Sequence, residues 1–295
     1  MGQNGKLLIT GCSGFIGNNL TRYAMECGYQ VVGLDRRECQ IKDIEMFKGD
    51  ITDVDLVQEA TKGVQNIIHL AAITSNIEFE KDPASCYKIN VGGFINVLNA
   101  AKSNGVNKVL YASSAAVYTE SGGFSENTMI DVKKQRNHYA KSKLINEMIA
   151  DSYIDIYDMN IIGMRFFNVF GEGENDKGDY ASIISRFIKE NKNGMPLVIY
   201  GDGKQSRDFI YISDLSKIII MLLKSGQEQL YNIGTGVATS YEEIANIINS
   251  GGKKYVDNPL SSYQYLTKAD TTRLLATIGK FQFMGVPVAI RKLLE

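Results

Sequence analysis

Short apolar runs alternate with longer stretches of helical spacing through the first half of the chain. Lys6–Thr10 is such a run; it ends at Gly11 and predicts a buried strand. Apolar positions from Phe15 to about Cys27 recur at helical spacing and stop at Gly28. Gln30–Leu34 predicts a second strand, closed by Asp35. A third, near Phe47–Gly49, ends at Asp50, and Asp53 stands where the next helix would be capped. Asn66–Ala71 predicts a fourth strand, and Pro83 opens a long helix to about Asn104, with Gly105 just beyond it. Lys108–Ala112 predicts a fifth strand, Asn137–Tyr157 another long helix, and Asn160–Phe167 a sixth strand. Strands alternating with helices at this spacing predict an α/β fold, a parallel sheet covered on both faces.

After about Phe170 the pattern loosens. A polar, glycine-containing loop over Gly171–Gly178 precedes a helix at about Tyr180–Asn191, and further helices are expected at Asp214–Leu223 and Tyr241–Asn249. The expected division is a first domain over 1–170 and a smaller α/β lobe over 171–295, with exchange of strands and helices between the two.

Composition narrows the class. The 295 residues are 44% hydrophobic and 22% charged, as in an ordinary soluble globular protein. A net charge of -1 gives no basic field for nucleic acid or an anionic membrane, so positive charge for an anionic ligand must be local. No apolar run has the length of a membrane span, and Met1–Lys6 leads into a strand without a signal peptide's apolar core. Cys12, Cys27, Cys39 and Cys86 are scattered, and His69 and His138 are the two histidines. A reduced, cytoplasmic protein without a metal site is expected.

The turn after the first strand reads Gly11-Cys12-Ser13-Gly14-Phe15-Ile16-Gly17. Glycines there allow a tight turn and bring the backbone close to a pyrophosphate at the helix N-terminus. A strand–helix turn with no ligand would look the same, but Asp35 closes the second strand where an acid would bind the 2′-hydroxyl of NAD. Together they predict a Rossmann-type, doubly wound dinucleotide site. Arg36 and Arg37 follow directly and would suit the 2′-phosphate of NADP; the acid favours NAD. Asp50 and Ile51 would hold the adenine, although a plain turn residue fits Asp50 equally. Leu70-Ala71-Ala72 end the fourth strand with small residues that leave room for a cofactor or simply pack.

Chemistry is suggested by Tyr139 and Lys143. Four residues apart on a helix, they share one face, and a nearby ammonium favours the phenolate. Such a pair supplies a base for deprotonating an alcohol. On its own it is usually a solvated helix face. Ser113-Ser114 end the fifth strand, at the edge of the sheet where ligands bind, and would bring a hydroxyl to the same point. Capping a turn is the commoner use of such serines.

In Gly-x-x-Gly-x-x-Gly, Asp35, His69-Leu70-Ala71-Ala72, Ser113-Ser114-Ala115-Ala116-Val117-Tyr118 and Tyr139-x-x-x-Lys143, the chain resembles the extended short-chain dehydrogenase/reductases. More narrowly it resembles their NAD-dependent nucleotide-sugar epimerases and dehydratases. The likeness continues through Arg165–Gly171, Gly201-Asp202-Gly203, Arg207–Tyr211, Asp214 and Tyr231–Gly236. It implies that Tyr139 is the base and that Lys143 binds the nicotinamide ribose and lowers the tyrosine pKa. Ser114 would hydrogen-bond the reacting oxygen. Asn168 and Arg207 would hold the nucleotide diphosphate, an arginine fork suiting phosphate oxygens. A local ion pair between Arg207 and Asp208 is the plainer alternative. The implied cofactor set adds Phe15, Ile16, Asn90 and Phe166 to the residues above.

On the reaction, the resemblance divides. Its members oxidise a sugar hydroxyl, often at C4, and differ in the later steps. Dehydratases of the group carry an Asp-Glu pair directly after the serine or threonine; here Ala115 and Ala116 stand there, and alanine moves no proton. Sugar-acid decarboxylases usually place a glutamate at the second position, again Ala116. The expectation is therefore a UDP-hexose 4-epimerase acting through a transient 4-keto sugar, on UDP-glucose/UDP-galactose or an N-acetyl or uronate analogue. Two departures stand against the pattern. The second arginine typical of hexose 4-epimerases is missing from Asn258–Gln264, and Thr119 replaces a common glycine. Asp176-Lys177-Gly178 with Ala181-Ser182, and Tyr263–Asp270, also resemble ADP-heptose 6-epimerases. That reading makes Lys177 a pocket lysine and Ser182 a substrate contact, against a solvated loop lysine. A dehydrogenase or reductase of the same fold stays open, as does a non-catalytic NAD-sensing protein, which would have no need of Ser114, Tyr139 and Lys143. The family likeness also implies a homodimer through a four-helix bundle of the two long helices.

Overall fold

The computed structural model describes residues 4–119, 123–174, 181–249, 252–257 and 265–295. In chain order the elements are β1 (Lys6–Thr10), α1 (Phe15–Glu26), β2 (Gln30–Asp35), β3 (Glu45–Lys48), α2 (Val54–Ala60), β4 (Asn66–His69), α3 (Asn76–Lys81), α4 (Pro83–Tyr87), α5 (Gly93–Ser103), β5 (Lys108–Ser114) and α6 (His138–Tyr157). Next come β6 (Ile161–Phe166), β7 (Asn168–Phe170), α7 (Ile183–Lys192), β8 (Leu197–Tyr200), β9 (Ser206–Tyr211), α8 (Ile212–Ser225) and β10 (Leu230–Ile233). The chain closes with β11 (Ala238–Ser240), α9 (Tyr241–Ile248), β12 (Lys253–Val256), α10 (Thr272–Ile278) and α11 (Val286–Leu294).

Two compact units result, each built from three stretches of chain. The first comprises Met1–Val117, Asp131–Arg165 and Ser216–Tyr231; the second comprises Tyr118–Ile130, Phe166–Leu215 and Asn232–Glu295. The seven-stranded sheet has the order β10-β6-β5-β4-β1-β2-β3. The ladders of β1 with β2 and β4, of β2 with β3, and of β4 with β5 are all parallel. Strand order reverses beside β1, so a crevice opens past the carboxyl ends of β1 and β4, the usual ligand position in such a sheet. The expected doubly wound α/β fold is present.

Burial explains the elements. Residues of β1, β2, β4 and β5 are apolar on both faces, as parallel strands under two helix layers must be. Leu8, Val32, Leu34, Ile67, Phe94, Val97, Leu98 and Val109 share one core cluster. Each large side chain removed from water there contributes about 1.5–3 kcal/mol. Helix α6 starts at Asn137, whose side chain accepts from the Ala140 N–H at 3.1 Å, and stops at Asp158, which is left-handed at φ 55.

Several boundaries differ from expectation. Strand β4 ends at His69, so Leu70-Ala71-Ala72 lie past it. The single long helix from Pro83 is broken by a π turn over Lys88–Gly92. That turn frees the Asn90 carbonyl to accept from Asn146 Nδ2 at 3.0 Å. Helix α3, capped by Ser75, was not anticipated; its six residues are too few to show a period. In the second unit, the three-stranded sheet β11-β9-β7 and the pair β12-β8 also escaped the pattern, because their strands are three to six residues long. No helix among the described residues is long and apolar enough to cross a membrane.

Candidate active site

The crevice at the switch point is in the first unit. Gly11, Gly14, Asp35, Asp50, Ile51, Leu70, Ala71 and Ala72 line it, together with Arg36 and Arg37. Leu34, Gly49, Ile73 and Ile89 complete the lining and were not anticipated, since they lie outside any recognisable motif. Gly11 is left-handed at φ 75, and a Cβ on Gly17 would sit 2.0 Å from the Gly11 carbonyl oxygen. Helix α1 can therefore start this close to the turn only with glycine at 17. Phe15 and Gly17 are buried on the inner stripe of α1.

Asp35 holds the turn and the strand end together. Its Oδ2 accepts from the Ser13 N–H at 3.0 Å and its Oδ1 from the Arg37 N–H at 2.9 Å. Arg37 Nη2 returns a bond to the Ser13 carbonyl, and Ser13 Oγ donates to the Arg37 carbonyl, both at 3.0 Å. Asp50 Oδ1 accepts from the Thr52 N–H at 2.9 Å, so it is a turn residue as well as part of the lining. Asn90 is buried; its amide exchanges bonds of 2.7 and 2.9 Å with the Ile73 backbone and donates to Ser142 Oγ at 3.1 Å. It shapes the crevice through Ile73. Phe166 is buried at the end of β6. No cluster of His, Cys, Asp or Glu among the described residues would hold a metal.

Beside the crevice, β5 and α6 bring Ser114, Tyr139 and Lys143 together. The Ser114 hydroxyl hydrogen-bonds the Tyr139 phenol, and its Oγ accepts from the Ala116 N–H at 3.1 Å. Capping the turn, the commoner use weighed for the serine, is what the Ala116 bond does. Lys143 Nζ lies 5.8 Å from the centre of the Tyr139 ring and donates to the Ala112 carbonyl at 2.8 Å. Burial lowers the Lys143 pKa to about 8, with Glu147 raising it in opposition. Burial raises the Tyr139 pKa above its ordinary value, and the Ser114 hydrogen bond pulls it back. This corrects the expectation of a phenol brought towards neutrality by Lys143: in the structure, desolvation outweighs every neighbour, and Ser114 is the group that lowers it.

Two further groups were not foreseen. His69 is buried, its Nδ1 2.8 Å from Thr10 Oγ1 and its ring stacked on Phe94, and burial drives its pKa down to about 3. Gln135 Nε2 donates to the Ala116 carbonyl at 2.9 Å, while its Oε1 accepts from the Asn137 N–H at 3.1 Å. One side chain thereby ties the Ala115–Val117 turn to the start of α6.

In the second unit, Arg207 and Asp208 are neighbours on β9 and so face opposite sides of their sheet. Asp208 accepts from Thr235 N and Oγ1, Gly236 N and Ala269 N at 2.7–3.0 Å. Arg207 donates to the Ser206 carbonyl at 2.9 Å and lies 5.7 Å from the Tyr241 ring centre. The local ion pair weighed from sequence is therefore not what Asp208 is used for. Asn168 Nδ2 donates to the Asp208 carbonyl at 3.2 Å, joining β7 to β9. Ser182 Oγ donates to Glu174 Oε2 at 2.9 Å and accepts from the Ser185 N–H at 3.3 Å, capping α7. Lys177 and Asn258–Gln264 lie outside the described residues.

A switch-point crevice with a glycine turn, an acid at the end of β2 and small residues after β4 defines a dinucleotide-binding α/β protein. The residues fit NAD: glycines leave the backbone bare where α1 starts, and Gly11, Gly14 and Asp35 line one crevice. The chain belongs to the NAD dependent epimerase/dehydratase family, whose model matches residues 7–234. NAD is the cofactor of that family. A Methanocaldococcus jannaschii protein assigned provisionally as a UDP-glucose 4-epimerase is 34% identical over 292 residues, covering 95% of this chain and 92% of that protein. The structure of an epimerase from Methanothermobacter thermautotrophicus superposes with a TM-score of 0.89 at 26% identity, covering 97% of this chain and 90% of that one. A UDP-N-acetylglucosamine 4-epimerase from Methanobrevibacter ruminantium, solved with UDP-N-acetylmuramic acid, gives 0.84 at 26% identity over 98% of both chains.

Proposed function

We propose that this protein is an NAD-dependent nucleotide-sugar 4-epimerase acting on a UDP-hexose. The observation that carries this reading is the turn after Ser114. Ala115 and Ala116 occupy it, and Ala116 contributes a backbone N–H to Ser114 Oγ and a carbonyl to Gln135. No side chain in it carries a proton, so elimination of water has no acid or base where the family's dehydratases place theirs. The 4-epimerase assignments of the relatives support the same reading.

In this proposal Tyr139 takes the proton of the sugar 4-hydroxyl, and Ser114 holds that oxygen. The Ser114 hydrogen bond favours the phenolate against the burial of the phenol, and Lys143 is proposed to hold the nicotinamide ribose. NAD, which Gly11, Gly14 and Asp35 would hold in the crevice, would supply a reversible hydride acceptor. The C4 hydrogen leaves as hydride and the O4 hydrogen as a proton, giving a 4-keto sugar. Return of both, with hydride arriving on the opposite face, yields the epimer with no net redox change. Asn168 and Arg207 are proposed to hold the diphosphate. We also propose a cytoplasmic homodimer through α4–α5 and α6. The exposed Met148, Ile156 and Tyr157 on α6 support that interface.

Incubation with UDP-glucose, UDP-N-acetylglucosamine and UDP-glucuronate separately, without added NAD, followed by proton NMR, tests the activity. A C4 epimer with unchanged NADH absorbance is expected. Net NADH formation, or no conversion even with NAD supplied, overturns the proposal.

A further inference from the structure

Below the Tyr139/Lys143 pair lies a buried cluster that joins Ser113 and Arg165 to Glu147, a residue outside every motif noted in the sequence. Glu147 is one helical turn beyond Lys143 on α6, so the two side chains share a face. Arg165, on β6, donates to both Glu147 oxygens, from Nε to Oε1 at 2.9 Å and from Nη2 to Oε2 at 2.7 Å. Ser113 Oγ donates to Glu147 Oε1 at 2.5 Å. Lys143, Glu147 and Arg165 are 3%, 8% and 4% exposed.

This geometry does two things at once. Ser113 precedes Ser114, and Lys143 is bonded to Ala112 on the same strand. The Lys143–Ala112 and Glu147–Ser113 contacts are therefore successive rungs that set α6 in register with β5. The phenol and the serine hydroxyl are presented from those two elements. Electrostatically, Glu147 serves two buried cations. Lys143 is faced by His69 from β4, the Ala112 carbonyl from β5 and Tyr139 from its own helix. His69 is neutral and supplies no negative charge. Glu147 in turn is faced by Ser113 and Tyr111 from β5, Arg165 from β6 and Asp151 from α6.

We propose that Glu147 is a positioning residue for the Tyr139/Lys143 pair, setting α6 in register through Ser113 and Arg165 and keeping the buried Lys143 ammonium charged. This deepens the proposed function and rests on its assignment of Tyr139 and Lys143.

The test reads Lys143 directly, so it does not depend on which sugar is turned over. Isotope-labelled lysine side chains are titrated by NMR in the NAD-loaded protein, with the Lys143 signal assigned by its loss in Lys143→Met. The wild-type signal is expected to titrate near pH 8. In Glu147→Gln, which keeps an acceptor for Ser113, the midpoint is expected to fall by roughly one unit. In Arg165→Met, which leaves Glu147 to Lys143 alone, it is expected to rise. The alkaline limb of kcat should move with the midpoint while KM stays within about twofold. An unmoved midpoint in folded Glu147→Gln overturns the proposal. Should that variant not fold, Glu147→Gln/Arg165→Met compared with Arg165→Met decides: a midpoint below that of Arg165→Met supports the role and one equal to it overturns it. A shifted midpoint with no UDP-sugar converted would refute the proposed function and leave the role of Glu147 standing.

Discussion

Lys143 Nζ donates to the main-chain carbonyl of Ala112 at 2.8 Å, two residues before Ser114 on the same strand. An ammonium is thus kept in a site that disfavours it, and burial brings its pKa from 10.5 to about 8. The stability consequence has a definite sign. Between about pH 8 and 10.5 the unfolded chain binds the lysine proton and the native state has released it, so stability from this group rises with pH across that window. Relative to Lys143→Met, the wild type should gain up to about 3 kcal/mol over that range. Denaturant unfolding of both proteins at several pH values measures it; a constant difference would show that Lys143 titrates normally.

Tyr139→Phe removes the phenolic proton carrier and leaves the crevice residues untouched. Turnover of the sugar should fall by about 10²–10⁴-fold, with NAD binding retained. Ser114→Ala should cost less turnover but also some stability, because Ser114 Oγ accepts from the Ala116 N–H as well as bonding the phenol. Epimerisation rates and thermal melting, measured together on both variants, separate the two. Near wild-type turnover in Tyr139→Phe would remove it as the base.

Much of this site was legible in the sequence because its parts are local. The glycine turn, Asp35, the serines ending β5 and the Tyr139/Lys143 pair each sit within one strand–turn–helix step, where spacing alone places them. The parts that stayed hidden depend on residues meeting across the fold. Ser113, Glu147 and Arg165 meet over separations of 34 and 18 residues, and nothing in their local patterns announces it. Asp208 reads as half of a surface pair until Thr235, Gly236 and Ala269 are seen converging on its carboxylate. The π turn at Lys88–Gly92 is invisible for a related reason, since the residues around it keep the helical period. In the second unit, β7 and β11, of three residues each, carry too few positions to show alternation, and pairing with β9 defines them instead.

Asp35→Asn keeps an acceptor for one of the two N–H groups it now serves and removes the charge. Affinity for NAD should weaken by about 1.5–3 kcal/mol, the worth of a hydrogen bond to a charged group. NADP should gain relative to NAD, because the carboxylate that repels a 2′-phosphate is gone and Arg36 and Arg37 line the same crevice. Calorimetric titration with both dinucleotides checks this. Equal losses for the two would mean that Asp35 acts on the turn through Ser13 and Arg37 and not on the ribose.

Arg165 and Glu147 make a two-point ion pair whose side chains are 5% and 11% exposed. Removing one partner strands the other charge in the interior. Arg165→Met should therefore destabilise the protein by about 3–5 kcal/mol. The double variant Glu147→Met/Arg165→Met strands neither charge. Replacing a buried pair with apolar side chains of similar volume is often close to neutral, so the double variant should recover most of that loss. Its turnover should not recover, because Lys143 would face no carboxylate and Ser113 no acceptor. Denaturant unfolding and epimerisation rates on both variants provide the check. A double variant as unstable as Arg165→Met would mean that packing around the guanidinium, and not the pairing of charge, holds this part of β6 against α6.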